Sequence, residues 1–81
     1  MTAWSHIMIY QQQLQELNSI YSQAQKADTD EYFSELLIEL RNLSNSWHVL
    51  QKRKQLSFSE YSQLIEKKYY LSAVLQQKKN N

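Results

Sequence analysis

The chain contains no glycine and no proline, and this absence limits its fold more than any other feature of its 81 residues. Tight turns with positive φ, glycine-rich phosphate loops and strained nucleophile turns all depend on those two residue types. A β fold built from short hairpins is therefore disfavoured. The abundant residues are Gln, Leu, Ser, Lys, Glu and Tyr, a mixture in which good helix formers dominate. Together these observations predict an all-α protein.

The length of the chain allows one small hydrophobic core, because a protein of this size buries only about 60–65 % of the surface that it exposes when unfolded. The sequence has no cysteine, so neither a disulfide nor a thiolate metal site adds stability. We therefore expect a single helical domain over residues 1–81. Its stability must come from close helix packing or from self-association, for example as a homodimer.

Apolar residues recur at the helix period in two long segments, which predict helices over about residues 3–26 and 29–54. In both segments the spacing is 3-4-3-4-3, which is the heptad seam of packed amphipathic helices. Two matched seams of equal length predict a helical hairpin. The first seam consists of Ile7, Tyr10, Leu14, Leu17, Tyr21 and Ala24, and the second of Phe33, Leu36, Leu40, Leu43, Trp47 and Leu50.

Capping residues indicate where the helices begin. Thr2 is a suitable N-cap for the first helix. Asp28, followed three residues later by Glu31, resembles a capping box for the second helix, and Ser57 with Glu60 forms the same pattern before a third helix. The sequence therefore predicts two short connections and three helices.

The third helix is predicted over about residues 58–77, with a poorer apolar pattern than the first two. Lys68 and Ser72 lie within its apolar face, whereas Tyr70 and Val74 point away from it. The polar tail, residues 78–81, is expected to fray. The expected architecture is a small three-helix bundle whose third helix is loosely packed. Its apolar face consists of Phe58, Tyr61, Leu64, Ile65, Leu71 and Leu75.

The sequence offers little for catalysis or metal binding. His6 and His48 occur in no HExxH or Glu-x-x-His pattern, and no nucleophile has an evident base nearby. Glu31, Glu35 and Glu39 follow one ridge of the second helix, which is typical of a solvated face near a helix start. We expect a protein that is not an enzyme and that takes no cofactor, no metal and no small-molecule substrate.

The amino-terminal segment does not resemble a membrane anchor or a secretory signal. Residues 1–15 carry no charged side chain, but the apolar run at residues 4–10 is too short to span a bilayer, and it lacks a basic n-region. We therefore expect a cytoplasmic protein without a membrane partner.

Charge is distributed unevenly along the chain. Residues 1–41 hold two basic and six acidic side chains, a net charge of −4, whereas residues 42–81 hold seven and two, a net charge of +5. Complementary halves suit antiparallel packing within one chain or between two. The basic half also supports an alternative function, a small nucleic-acid-binding transcriptional regulator. Its phosphate contacts would be Lys52, Arg53, Lys54, Lys67 and Lys68.

Binding to another protein is the leading functional prediction. The chain has ten aromatic residues, and Ile9, Ile38 and Val49 fall outside the predicted seams. A surplus of apolar and aromatic side chains in so small a domain is typical of an interaction surface. We expect a regulatory module that acts stoichiometrically as an adaptor, co-chaperone or inhibitor. The predicted partner-binding residues are Trp4, Trp47, Tyr69, Tyr70 and Val74.

Overall fold

The computed structural model describes the backbone of residues 3–80 and the side chains of residues 7–79. Within that range the chain forms three helices, α1 (Ala3–Lys26), α2 (Asp30–Lys52) and α3 (Phe58–Asn80). They pack into an elongated bundle of 45 × 17 × 15 Å. The predicted all-α, three-helix architecture is confirmed.

The direction of the helices follows from hydrogen bonds between them. The Tyr10 hydroxyl near the start of α1 donates to Gln63 near the start of α3, at 2.8 Å. At the other end of the bundle, the Lys78 amine donates to the Ala24 carbonyl oxygen at 3.2 Å. Helices α1 and α3 are therefore parallel, and α2 runs antiparallel to both.

Helix α2 provides much of the core. Its predicted seam is confirmed, because five of the six residues are buried and Leu50 is half-buried against them. Trp47 and Leu36 are among the largest fully buried side chains of the described residues. Burying an aromatic side chain of this size contributes strongly to stability, and its removal typically costs about 3–5 kcal/mol.

Helix α1 keeps part of its predicted seam, because Leu17 and Ala24 are buried and Tyr10 and Leu14 are half-buried against the core, but its other positions differ. Gln13 and Ile20 are buried, whereas Ile7 and Tyr21 are about half exposed, at 50 % and 42 %. Ile9, expected outside the seam, is half-buried against the core. The observed stripe again has the spacing 3-4-3-4-3, but it is rotated from the predicted one. It consists of Tyr10, Gln13, Leu17, Ile20 and Ala24 and continues to the half-buried Ala27, the first residue after the helix.

A buried hydrogen bond explains the rotation of α1. The Trp47 indole Nε1–H on α2 donates to the Gln13 side-chain carbonyl oxygen at 3.1 Å, and both side chains are buried, at 0 % and 8 % exposure. A buried indole N–H without an acceptor costs free energy, so the polar Gln13 is preferred at this seam position. No buried side-chain nitrogen or oxygen among the described residues lacks a hydrogen-bond partner.

Helix α3 also follows the heptad, with lysines at two seam positions. Its inward stripe has the spacing 3-4-3-4-3, and Lys68 and Lys78 in it are half-buried. Long lysine side chains cover apolar surface with their methylenes and keep the amine in water, which explains the poor apolar pattern of this helix. Phe58 was expected on the inward face, but it is 73 % exposed. The stripe consists of Tyr61, Leu64, Lys68, Leu71, Leu75 and Lys78.

One of the predicted N-terminal caps is confirmed, and another lies one residue from its predicted position. Ser57 and Glu60 form a reciprocal capping box, in which the Glu60 N–H donates to Ser57 Oγ at 3.1 Å and the Ser57 N–H donates to Glu60 Oε1 at 2.9 Å. The predicted cap of α2 was one residue off. Thr29, rather than Asp28, accepts from the Tyr32 N–H at 3.2 Å. The predicted Thr2 cap lies outside the described residues.

Helix α2 ends in a Schellman motif that lacks the usual glycine. The Lys54 N–H donates to the Gln51 carbonyl at 3.0 Å, and the Gln55 N–H donates to the Leu50 carbonyl at 2.8 Å. This geometry requires a left-handed residue, and Lys54 takes it with φ of 61°. The helix therefore ends at Lys52 instead of the predicted Lys54, with Arg53 as its C-cap.

The C-terminal end of α3 is longer than predicted. The helix continues to Asn80, whereas the sequence suggested an end near Gln77 and a frayed tail. The hydrogen bond from Lys78 to the Ala24 carbonyl explains the difference. Ala24 lies in the last turn of α1, where carbonyl groups lack helical partners and attract cations. Asn81 lies outside the described residues.

Replacing Lys54 by glycine should stabilise the protein. A side chain with a Cβ in the left-handed region costs about 1–2 kcal/mol, and glycine removes most of this strain at the expense of a more flexible unfolded chain. We expect Lys54→Gly to raise the free energy of unfolding by about 1 kcal/mol, measured by urea denaturation. Lys54→Ala, which removes the same charge but keeps the Cβ, is the control. Equal effects of the two substitutions would contradict a left-handed Lys54.

The Gln13–Trp47 hydrogen bond predicts that the effect of Gln13→Leu on the free energy of unfolding depends on whether Trp47 is present. In the wild-type protein, Gln13→Leu leaves the Trp47 indole N–H unpaired and should cost about 1–3 kcal/mol. In a Trp47→Phe background the same substitution removes a buried amide without a partner, so it should be neutral or stabilising. Urea denaturation of the four proteins measures this, with the exposed Gln12→Leu as control. A similar loss in both backgrounds would show that the two side chains do not interact.

Candidate functional site

The most exposed large side chains of the bundle lie on α3. Phe58, Tyr69 and Tyr70 are 73 %, 65 % and 67 % exposed, more than any other large apolar residue that the structure describes. An exposed aromatic residue is individually unremarkable. Three on one helix, each lining a groove against a neighbouring helix, make the surface of α3 the candidate functional site.

The first groove, which we call the α2–α3 groove, has a volume of about 380 Å³. Its α3 side carries Phe58, Ile65 and Tyr69, which are seven and four residues apart and therefore share one face of the helix. Its α2 side carries the short side chains Ser44 and Asn45. His48, which also lines the groove from α2, is longer and contacts α3.

Two aromatic rings hold the α2–α3 groove in shape. The Tyr61 hydroxyl and the His48 Nε2 share a hydrogen bond of 3.3 Å. Their ring centroids are 5.4 Å apart, with an angle of 46° between the planes, which is a favourable separation for aromatic rings. His48 therefore links α2 to α3 beside the groove, a role for which its position next to the seam gave only a weak signal.

Lys68 contributes a positive charge to the same groove. Its side chain is half-buried, and its Nζ lies 5.3 Å from the centroid of the Tyr69 ring. An ammonium group at this distance is attracted to the ring face. The groove therefore carries a cation next to one of its exposed aromatic rings.

A second groove lies between α1 and α3, on the other side of α3, with a volume of about 350 Å³. Its floor is formed by the buried Leu17 and Leu71, and its rim includes Tyr21 and Tyr70. Tyr21 is exposed because the inward stripe of α1 contains Ile20 instead of Tyr21. We call this depression the α1–α3 groove.

The predicted partner-binding residues separate into different environments. Tyr69 and Tyr70 are exposed on opposite sides of α3, and Val74, one turn after Tyr70, is half-buried. Trp47 is fully buried and bonded to Gln13, so the prediction that it contacts a partner from the surface is wrong. The Trp4 side chain lies outside those described. The sequence pattern could not separate a core tryptophan from an interface tryptophan.

The predicted phosphate-binding residues do not form one cluster. Lys52, Arg53 and Lys54 are exposed at the end of α2, whereas Lys67 and Lys68 lie nine and ten residues into α3. Because a helix rises 1.5 Å per residue, Lys67 is about 14 Å along the α3 axis from its first residue. Lys67 is exposed in the α1–α3 groove, but Lys68 faces the α2–α3 groove.

Sequence reasoning missed Phe58 and Ile65 as groove residues. Both were assigned to the inward face of α3, since Phe58, Tyr61, Leu64 and Ile65 suit one helical stripe. The spacing of Phe58, Ile65 and Tyr69, which places them on a second face of α3, was the signal in the sequence that could have identified them. The depression itself depends on where α2 places Ser44 and Asn45 relative to α3, and no local pattern in the sequence gives that.

The described part of the chain lacks two further kinds of functional feature. It holds no group of three or more His, Asp or Glu side chains placed to share a metal ion. None of its three helices combines the length and the apolar character needed to cross a membrane.

The architecture defined by these observations is a small three-helix bundle with grooves on both sides of its third helix. Comparison of the chain with protein-family models, curated proteins and solved structures gives no match. A functional argument therefore depends on the surface of this protein alone.

Proposed function

We propose that the protein is a non-enzymatic binding module that acts stoichiometrically on a partner protein, as an adaptor, co-chaperone or inhibitor. Helix α3 is the recognition element, and the α2–α3 groove is its main binding site. The observation that carries the proposal is the exposure of Phe58 and Tyr69, at 73 % and 65 %, on the border of that groove.

The chemistry of the groove supports a protein partner. Aromatic residues are enriched at protein interfaces and are frequent binding hot spots, because each buries a large area with few rotatable bonds. Here they surround a depression with a half-buried apolar residue, Ile65, in its lining, and polar side chains, Ser44 and Asn45, on its far side. Exposed aromatic side chains next to apolar and hydrogen-bonding groups are a combination that protein interfaces use.

The dimensions of the groove suit a short helical segment. Phe58 and Tyr69 are eleven residues apart on α3, which corresponds to about 16 Å or three helical turns. An amphipathic segment of the partner with apolar residues at i, i+4 and i+7 would place one side chain per turn along this length. The α1–α3 groove, with Tyr21 and Tyr70 on its rim, offers a second contact that would let the protein bridge two partners.

Paired substitutions in the two grooves test this proposal. Phe58→Ser with Tyr69→Ser removes the anchors of the α2–α3 groove, and Tyr70→Ser with Val74→Ser alters the other side of α3. The first step is capture of bound proteins from an extract of the producing cells, followed by titration calorimetry with the purified partner. We expect one-to-one binding that the first pair weakens at least tenfold.

The control variant is Met8→Ser, which removes an exposed apolar side chain, 56 % exposed, from α1. It should leave partner affinity unchanged. Circular dichroism must show that all variants remain helical. Full affinity in both groove variants would refute recognition through α3.

Nucleic-acid binding is the second candidate, because Lys52, Arg53 and Lys54 are all exposed at one end of the bundle. Phosphate contacts release counterions, so such binding weakens steeply as salt increases. The test is a gel shift with duplex and single-stranded probes at about 50 and 200 mM salt, with Lys52→Glu plus Arg53→Glu and with Lys67→Glu plus Lys68→Glu. A salt-dependent shift that both pairs abolish would favour this candidate over a protein partner.

A further inference from the structure

The outward face of α2 carries a second heptad stripe, directly opposite the core. Its six residues have the spacing 3-4-3-4-3, and all six side chains are exposed. Two of them are apolar, Ile38 at 50 % and Val49 at 45 % exposure. None of them is needed for the core, since the buried seam of α2 occupies the other side of the helix. The outer stripe consists of Glu35, Ile38, Asn42, Asn45, Val49 and Lys52.

The order of residue types in the outer stripe is self-complementary. Read from its N-terminal end, the stripe is acidic, apolar, asparagine, asparagine, apolar and basic. Two copies of α2 placed antiparallel about a two-fold axis would pair each residue with its complement. Glu35 would face Lys52 of the second copy, and Ile38 would face Val49 of the second copy. At the centre, Asn42 and Asn45 would face each other across the axis.

We propose that the protein forms a two-fold symmetric homodimer through the outer stripe of α2. In an antiparallel coiled coil the a positions of one helix pack against the d positions of the other, and the 3-4-3-4-3 spacing places every pair of the outer stripe in such a layer. A two-fold interface must use the same patch on both subunits. The stripe meets this requirement in spacing, polarity and charge at once.

Charge complementarity identifies a second copy as the occupant of this face. Glu31, Glu35 and Glu39 are exposed in the first half of α2, and Lys52 and Arg53 are exposed at its end. The antiparallel arrangement brings the acidic half of each helix beside the basic end of the other, and it also opposes the two helix dipoles. A parallel arrangement would place like charges together, so the charges favour the antiparallel arrangement of the two helices.

The proposed dimer is weak and specific. The stripe spans residues 35–52, or about 26 Å of helix, and only two apolar residues per chain lie within it. Small interfaces with few apolar contacts belong to weak, transient complexes, so we expect a dissociation constant of about 10 μM to 1 mM. The central asparagines favour a single register, as buried asparagines do in coiled coils. Asn45 belongs both to the stripe and to the α2 side of the α2–α3 groove, whereas Phe58 and Tyr69 on α3 lie outside the interface. The inference is argued from α2 alone and does not depend on the proposed function.

Charge reversal with mixing tests the dimer. Sedimentation equilibrium over about 10 μM to 1 mM, the range of the expected dissociation constant, gives the self-association of each protein. We expect Glu35→Lys and Lys52→Glu each to weaken the dimer at least tenfold, because each creates two like-charge contacts across the axis. An equimolar mixture of these two variants should form a heterodimer, since both ion pairs are then restored. The double variant should dimerise as the wild type does.

Glu66→Lys is the matched control, because it makes the same change of charge on the exposed surface of α3. It should not alter the dissociation constant of the dimer. A wild-type protein that stays monomeric at 1 mM would overturn the proposal. So would an equal effect of Glu35→Lys and Glu66→Lys, or a mixture of Glu35→Lys and Lys52→Glu that associates no better than either variant alone. A dimer abolished by Phe58→Ser with Tyr69→Ser would place self-association on α3 instead.

Discussion

The buried hydrogen bond between the Trp47 indole and the Gln13 side chain determines how the helices of this bundle are arranged. Trp47 fills the core, and its N–H requires an acceptor that only a polar seam residue can supply. Meeting this requirement turns α1 so that Gln13 and Ile20 face inward and Tyr21 faces outward. The rotation in turn gives the α1–α3 groove its tyrosine rim. A feature of the surface therefore follows from one polar contact in the core.

The sequence predicted the parts of the fold that depend on local chemistry. The seam of α2 is made of large apolar residues, and the Ser57–Glu60 capping box is a four-residue motif, so both were found. Two overlapping heptads compete in α1, and apolarity alone favours the one without Gln13. The deciding contact joins residues 34 positions apart. The seam lysines of α3 were hidden in the same way, because a periodicity argument treats Lys68 and Lys78 as polar although their methylenes are half-buried.

The candidate site was predictable only in part, because it too depends on contacts between helices that are distant in the sequence. Tyr69 and Tyr70 were found as surplus aromatics, and the structure places both at the surface. Trp47 was predicted both in the core seam and at the interface, and Phe58 was predicted in the core, because an aromatic residue at helical spacing suits a core and an interface equally well. The neighbouring helix separates the two cases: Gln13 of α1 packs against Trp47, whereas Phe58 borders an open groove whose α2 side is formed by Ser44, Asn45 and His48. Helix α2 thus has three surfaces: a core seam, one wall of the groove, and the outer stripe.

Hydrogen exchange of the Trp47 indole N–H tests the account most directly, because the fold as described requires this proton to be buried and bonded to Gln13. The two tryptophan indole signals can be assigned in a heteronuclear NMR spectrum by comparison with Trp47→Phe. We predict that the Trp47 indole proton exchanges only through global unfolding, with the same free energy as the most protected backbone amides of α2. Exchange at the rate of an exposed indole would contradict the core arrangement and the rotation of α1 with it.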